Sequence, residues 1–463
     1  MRGRRLRRSA AGARPAAPVR LLHLGLGSFC RAHQAWYTDV APDAGDWGYA
    51  AFTGRGRGDL PERLAGQDGL YTLVTRAGDG DAVDLVSSLS TVHSGEDHGS
   101  WLGFFRSPDL AVVTVTVTEA GYRRRADGAL DVDRDDVRAD LAALSHDLAA
   151  PVRTAPARLV AGLAARRAAG AGPIALVPCD NVPSNGAMVD RVLRDAARRV
   201  DSGLTEWLDA HLSVVTTTVD RITPRPLARD IGAVRAATGF EDLCPVVTEP
   251  FREWVLSGAF PAGRPRWDAV GATFTDDVTP YENRKLWLLN GGHSLLAYAG
   301  SLRGHLTVDE AVGDETCRGW LDEWWDVASG HVPQPAGGLA AYRTALLERF
   351  ANPRLRHRLE QIGTDGSQKL PIRILPVLRA ERDAGRLPAA ATRVLAAWVC
   401  CLLGLGAEVI DVRADDLRGL AAGPLPDAVR RAIHALDHEL ADDAPLVDAV
   451  VAQSRALASG ARA

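Results

Sequence analysis

Arg20-Leu-Leu-His-Leu-Gly25-Leu26-Gly27-Ser28-Phe29-Cys30-Arg31 reads as a short apolar strand that runs into a tight turn and then a helix. A Gly-x-Gly turn in that position lets a pyrophosphate approach the backbone and rest on the N–H groups that open the helix. Gly25, Leu26, Gly27, Ser28 and Phe29 are therefore the candidate phosphate-binding residues. The third glycine of the usual fingerprint is missing, and Cys30 holds its place. A Gly-x-Gly alone is also an ordinary strand-to-helix turn. The elements that follow raise it to a dinucleotide site.

Those elements alternate. Residues 48–53 form a second short strand, and 71–75 and 82–88 form a hairpin around the acidic turn Gly78-Asp-Gly-Asp81. That turn lacks the ligand spacing of a calcium loop. Leu110-Ala-Val-Val-Thr-Val-Thr-Val-Thr118 is the strongest strand, and its unbroken β-branched run suits a parallel sheet covered on both faces. Helical sequence over 135–170 precedes further strands at 174–179 and 212–220. The rhythm predicts a doubly wound α/β sheet. From about residue 280 long helical patterns take over: 284–300, 308–329, 339–350, 376–384, 389–405 and 428 onward. The expected organisation is a disordered basic tail over 1–18, a Rossmann-type dinucleotide-binding domain over 19–279, and an all-helical substrate-binding domain over 280–463.

The second strand leaves the cofactor open. An acidic residue near its end usually holds the adenosine ribose. Here the chain reads Thr53-Gly-Arg55-Gly-Arg57-Gly-Asp59. Arg55 and Arg57 suit the 2′-phosphate of NADP, whereas Asp59 suits NAD from a longer loop. Glu119, closing the central strand, should line the nicotinamide side.

Two lysines stand among 54 Lys and Arg residues, so 52 of the cations are arginines. Arginine keeps its proton, while a desolvated lysine can shed one near neutral pH. One of the two lysines shares Lys285-Leu-Trp-Leu-Leu-Asn290-Gly-Gly-His293 with one of only five asparagines. At about 100° per residue on an α-helix, Lys285, Asn290 and His293 lie at roughly 0°, 140° and 80°, one broad face. Lys285 suits a general base that takes the proton of a substrate hydroxyl. Asn181 follows the strand at 174–179, where ligands of open α/β sheets bind. It and Asn290 offer amide donors for an oxygen gaining charge. Asn185 reads as a helix cap. His293 would orient substrate hydroxyls. No metal is required by this set, and the His434/His438 pair lacks a third ligand at family spacing.

Composition excludes several other classes. Net charge is −4, and no apolar run is long enough to span a bilayer. Neither nucleic acid nor membrane is an expected partner. Residues 1–20 carry seven arginines and no apolar core, so they are not a secretory signal. Six cysteines without a Cys-x-x-Cys pair fit reduced thiols in a cytoplasm. A monomer or small homo-oligomer is expected.

Together these segments resemble the long-chain polyol-specific dehydrogenases, the mannitol dehydrogenase family, over nearly the whole chain after residue 20. The resemblance is carried by Gly25-Leu-Gly-Ser-Phe-Cys-Arg-Ala-His-Gln-Ala, Cys179-Asp-Asn-Val-Pro-Ser-Asn-Gly, Val219-Asp-Arg-Ile-Thr-Pro, the Lys285 block and Asp365-Gly-Ser-Gln-Lys369-Leu-Pro. It implies a zinc-independent NAD(P) oxidoreductase of secondary alcohols, with a cleft between a Rossmann-type and a helical domain. Lys285 would be the base and Asn181 with Asn290 the oxyanion pair. Glu282 would relay protons, Asp220 would order the site, and Lys369 would hold the distal end of the substrate. Mannitol 2-dehydrogenases of the family can carry an arginine eight residues before the C-terminal lysine, where Gln361 stands here. The stretch 361–373 is more similar to the hexuronate reductases, so Lys369 and Arg373 would pair with a sugar carboxylate. Fructuronate and mannonate lead as the expected substrate pair, with mannitol and fructose second. A nucleotide sensor without turnover is the alternative of a different class, which an intact Lys285 opposes.

Overall fold

The computed structural model describes residues 4–54, 58–125, 127–224 and 226–460. The chain divides into two compact units, Met1–Val278 and Thr279–Ala463.

The first unit is built on a six-stranded sheet: β1 (Val19–Leu24), β2 (Gly48–Phe52), β3 (Leu89–His93), β4 (Val112–Val115), β5 (Ile174–Pro178) and β6 (Leu212–Val214). Their order across the sheet is β3-β2-β1-β4-β5-β6, and every neighbouring pair is parallel. This is the doubly wound order, with its reversal between β1 and β4. β4 is buried along its whole length, as its β-branched run predicts. One core cluster gathers Phe52, Trp101, Val113 and Leu176; another gathers Tyr49, Ala51, Val112 and Val177. Alternate residues of each strand thus feed opposite faces.

Three expectations are corrected. The run 212–220 is two strands. β6 ends at Val214, and Thr216–Asp220 leaves the sheet to pair antiparallel with Glu253–Ser257. Asn185 causes the switch by accepting from the Thr217 N–H while its amide donates to the Pro178 carbonyl. It sits one residue inside its helix, so it bridges two strands instead of capping. Nor is the arginine-rich start disordered over its described part. Arg4–Arg5 pairs with Phe240–Glu241, Leu6 is buried, and Arg8 donates to the carbonyls of Arg14, Asp68, Ser87 and Leu89. Arg8 acts as a multiple backbone donor rather than as a solvated charge.

The second unit is helical, with one isolated bridge, Thr307 to Arg358, among the described residues. Its central helix runs from Thr279 to Gly300, and two of its turns, Lys285–Asn290 and Leu296–Gly300, are π-helical. Around it lie α1 (Glu315–Ser329), α2 (Ala336–Phe350), α3 (Gly366–Arg373), α4 (Ala389–Leu402) and α5 (Ala444–Gly460). All six cysteines are free and buried. No helix of the described residues is long and apolar enough to cross a membrane.

Candidate active site

The phosphate turn is clamped from both sides. Gly25 and Leu26 donate to the Phe52 carbonyl at the end of β2, and Thr116, just past β4, donates to Leu24. Gly25 has φ +106°, and a Cβ there would lie 2.1 Å from the Thr116 carbonyl oxygen, so only glycine fits. His23 sits beneath, its ring bridging Thr114 and Thr116 at 2.8 and 3.0 Å, with burial pulling its pKa down to about 3. Gly27 is extended and precedes the short helix Ser28–Ala32. Arg31 locks that helix from behind by donating to Gly27 and Cys244 carbonyls. Phe29 stacks on His33 at 5.0 Å. Cys30 is fully buried, so the place of the third glycine is taken by a small packing residue. A turn in which a side chain would collide, at the reversal of a parallel sheet, fits a pyrophosphate-bearing dinucleotide. Arg55 lies outside the described residues. Asp59 is exposed and ion-paired with Arg63.

The ends of β4 and β5 carry the next candidates. Glu119 opens a one-turn 3-10 helix past β4 and is exposed. Tyr122, in the same turn, donates to Asp180 past β5 at 2.5 Å, which ties Glu119 to the segment carrying Asn181. Burial of Asp180 pushes its carboxyl up. Asn181 itself is exposed at the carboxyl end of the sheet. Asp220 is buried at the end of its strand, and the neighbouring Arg221 reaches back to the carbonyl of Ala32.

In the helical unit, Lys285 is buried, with 8% of its surface exposed, as are Glu282 and His293 at 7% each. Their shared face depends on the π turn. A helix that reaches back five residues instead of four has more than four residues per turn, so an offset of five is a little over one revolution. Lys285 and Asn290 therefore stand closer to one line than the α-helical reckoning of 140° allows. Two indoles support the irregular turn: Trp324 Nε1 donates to Trp287 O at 2.8 Å and Trp325 Nε1 to Leu288 O at 2.9 Å. The glycine pair admits them, since a Cβ on Gly291 would lie 2.7 Å from Trp324 Nε1 and one on Gly292 would lie 3.2 Å from Trp325 Nε1.

Arg373, on α3, donates to Asn290 O at 3.4 Å and Ser294 Oγ at 3.2 Å. Lys369 donates to Ile362 O and Thr364 Oγ1. α3 is fixed against the central helix through Gly366, whose Cβ would strike the Tyr298 hydroxyl at 2.5 Å, while that hydroxyl donates to Gly363 O.

Family models match both units. The mannitol dehydrogenase Rossmann domain covers residues 19–269, and the mannitol dehydrogenase C-terminal domain covers 277–457. The chain belongs to the mannitol dehydrogenase family. It is 39% identical over 393 residues to the D-arabinitol 4-dehydrogenase of Ralstonia nicotianae, covering 82% of each chain. It is 36% identical to the D-mannonate oxidoreductase of Escherichia coli K12, over 79% of this chain and 76% of that one. The Pseudomonas fluorescens mannitol 2-dehydrogenase, solved with NAD and D-mannitol, superposes with a TM-score of 0.80 at 32% identity, over 96% of this chain and 92% of that one.

Around the Lys285 block the fold of this family of oxidoreductases places residues that the sequence did not single out. Trp324 and Trp325 lie in the helical run 308–329, and His357 sits in the charged run Arg354-Leu-Arg-His-Arg358. In the fold, His357 meets the ring of His293 at 5.2 Å. The pair His434/His438 does not share a helix, because that helix ends at Leu436. Among the described residues the one group at metal-ligand proximity is His305, Asp314 and Cys317, where Asp314 already accepts from Arg303 and from two helix N–H groups.

Proposed function

We propose that this oxidoreductase interconverts the ketone and secondary alcohol of a linear sugar acid, fructuronate and mannonate first, with NAD as cofactor. The observation that carries the choice of an acid is Arg373. Its guanidinium has only neutral acceptors and no carboxylate partner among the described residues. A largely desolvated cation without a counter-ion is costly unless a ligand supplies one. Lys369 adds a second cation on the same helix.

In alcohol oxidation, Lys285 takes the hydroxyl proton and Glu282 passes it toward solvent. The amides of Asn181 and Asn290 donate to the substrate oxygen as charge builds. His293 holds neighbouring hydroxyls, and Asp220 orders the site. Gly25 to Phe29 cradle the pyrophosphate, and Glu119 lines the nicotinamide side. NAD, when bound, supplies the hydride acceptor. Arg55 and Arg57 leave NADP as a second cofactor, and the six buried thiols support a cytoplasmic home.

The second reading is mannitol and fructose, favoured by the bound mannitol of the Pseudomonas fluorescens relative. Gln361 in place of an arginine opposes it. The test is NADH and NADPH oxidation against fructuronate, tagaturonate, fructose and pentuloses. The expected result is a kcat/KM for a carboxylated ketose at least about tenfold above that for any neutral one. Equal or faster turnover of fructose or a pentulose would overturn the sugar-acid reading.

A further inference from the structure

The reaction as described leaves His357 without a part. Its ring meets that of His293 edge to face, 5.2 Å between centroids at 82°, while Phe350 stacks on His293 at 4.5 Å and 28°. The His293 ring is therefore held on two sides, and one of the holders is polar. Three nitrogens in this neighbourhood are buried without a hydrogen-bond partner among the described residues: His293 Nε2, His357 Nδ1 and Arg373 Nε. Arg373 is tied to the same stretch of the central helix by its bonds to Asn290 and Ser294. Buried polar atoms are nearly always satisfied. Three orphans around one turn of helix would be satisfied together by a polar partner from outside the protein.

The chemistry of that partner follows from the donors and acceptors. Burial, with Arg349 and Lys369 adding to it, pulls the His357 pKa down to about 4. Burial, with His357, Arg349, Arg373 and Lys369 adding to it, holds His293 well below its ordinary value. Both imidazoles are neutral at pH 7, each with one donor and one acceptor nitrogen. A sugar hydroxyl is both donor and acceptor, so it matches an orphaned imidazole nitrogen whichever tautomer is present. Guanidinium offers donors only, which suits a carboxylate.

We propose that His357 contacts the substrate: His293 Nε2 and His357 Nδ1 together receive hydroxyl groups of a linear sugar whose carboxylate lies on Arg373. The carboxylate rests on the sugar-acid reading above. The imidazole pair does not, since it would hold the hydroxyls of a neutral sugar in the same way.

Steady-state kinetics of wild type, H357F and H357Q on fructuronate and its 3-, 4- and 5-deoxy analogues test this. H357F should raise KM about tenfold or more with kcat within about threefold and NADH affinity unchanged. H357Q, whose amide keeps a donor and an acceptor, should recover most of the loss. One deoxy analogue should be about tenfold poorer for wild type yet no poorer than the parent for H357F, the signature of a lost shared contact. An unchanged KM in H357F, or additive losses for every analogue, would overturn the proposal. So would equal loss of kcat and melting temperature in both variants, which a purely structural role produces. If fructose is turned over and fructuronate is not, the sugar-acid reading fails, and the same cycle on deoxyfructoses still decides the role of His357.

Discussion

Arg373→Met should make the protein more stable and worse at its work. In the folded chain the guanidinium has two neutral acceptors, at 3.4 and 3.2 Å, and an Nε that is buried without any. Burial pulls its pKa down to about 10. Because the folded value lies below the unfolded one, the unfolded chain holds that proton more tightly. The cost to folding is therefore fully present at every pH below about 10 and is lost only as pH rises above it. At about 1.4 kcal/mol for each pH unit, the lowering corresponds to a few kcal/mol. Solvent still reaches part of the side chain, so about 1–2 kcal/mol is the gain expected when an unbranched apolar side chain replaces the cation. In a chain of this length that raises the melting midpoint by about 1–3 °C.

The loss on the other side is larger. Charge-assisted hydrogen bonds to a carboxylate contribute about 1.5–3 kcal/mol, so KM for fructuronate should rise about tenfold to a hundredfold. The KM for fructose, which has no carboxylate, should barely move. Calorimetry at neutral pH and steady-state kinetics on both sugars check the two halves. A lower melting midpoint in R373M would show that the guanidinium stabilises the empty protein. Equal KM changes for the two sugars would show that no carboxylate rests on it.

Lys285→Ala should lower kcat about a hundredfold to ten-thousandfold with NADH affinity intact, measured by single-turnover kinetics and fluorescence titration; retained turnover would remove it as the base. Gly25→Ala should weaken NADH binding at least about tenfold, since its Cβ would meet Thr116 O at 2.1 Å and φ +106° is strained for alanine; unchanged affinity would mean the turn does not carry the phosphates. Trp325→Phe deletes the donor to Leu288 O, which should cost about 1–3 kcal/mol of stability and lower kcat together, read by melting and turnover. His357 has a folded pKa of about 4 against an ordinary 6.5, so the unfolded chain protonates first and stability falls as pH drops from about 6.5 to about 4. H357Q should flatten that part of the acid unfolding curve.

What the sequence made legible was local chemistry. The strand-turn-helix at 19–32 could be read because glycine at φ +106° has no substitute there. β4 could be read because its β-branched run leaves little other choice. Lys285 and Asn290 stood out by rarity. What stayed hidden was set by distant partners. β3 reads Leu-Ser-Thr-Val-His and is mostly half-exposed, so no apolar alternation marked it. The break at Val215 depends on Asn185, thirty-two positions earlier than Thr217. The ordered placement of Arg8 depends on carbonyls of Asp68, Ser87 and Leu89, which no composition rule supplies.

The π turn shows where the α-helical reckoning of the Lys285 block departs from the structure. On an α-helix, Lys285 and Asn290 diverge by about 140°, too far to serve one substrate oxygen comfortably. A π turn brings them nearly in line but disturbs the regular pairing of helix carbonyls, a defect that isolated sequence would not tolerate. The indoles of Trp324 and Trp325 support that turn from α1, and Gly291 and Gly292 let them approach. Four residues outside the proposed chemistry thus support the turn that carries Lys285 and Asn290. Their placement explains why the block Lys285–His293 contains a glycine pair in mid-helix, where glycine costs about 1 kcal/mol relative to alanine: the loss in helix propensity is offset by two indole hydrogen bonds that only a side-chain-free stretch admits.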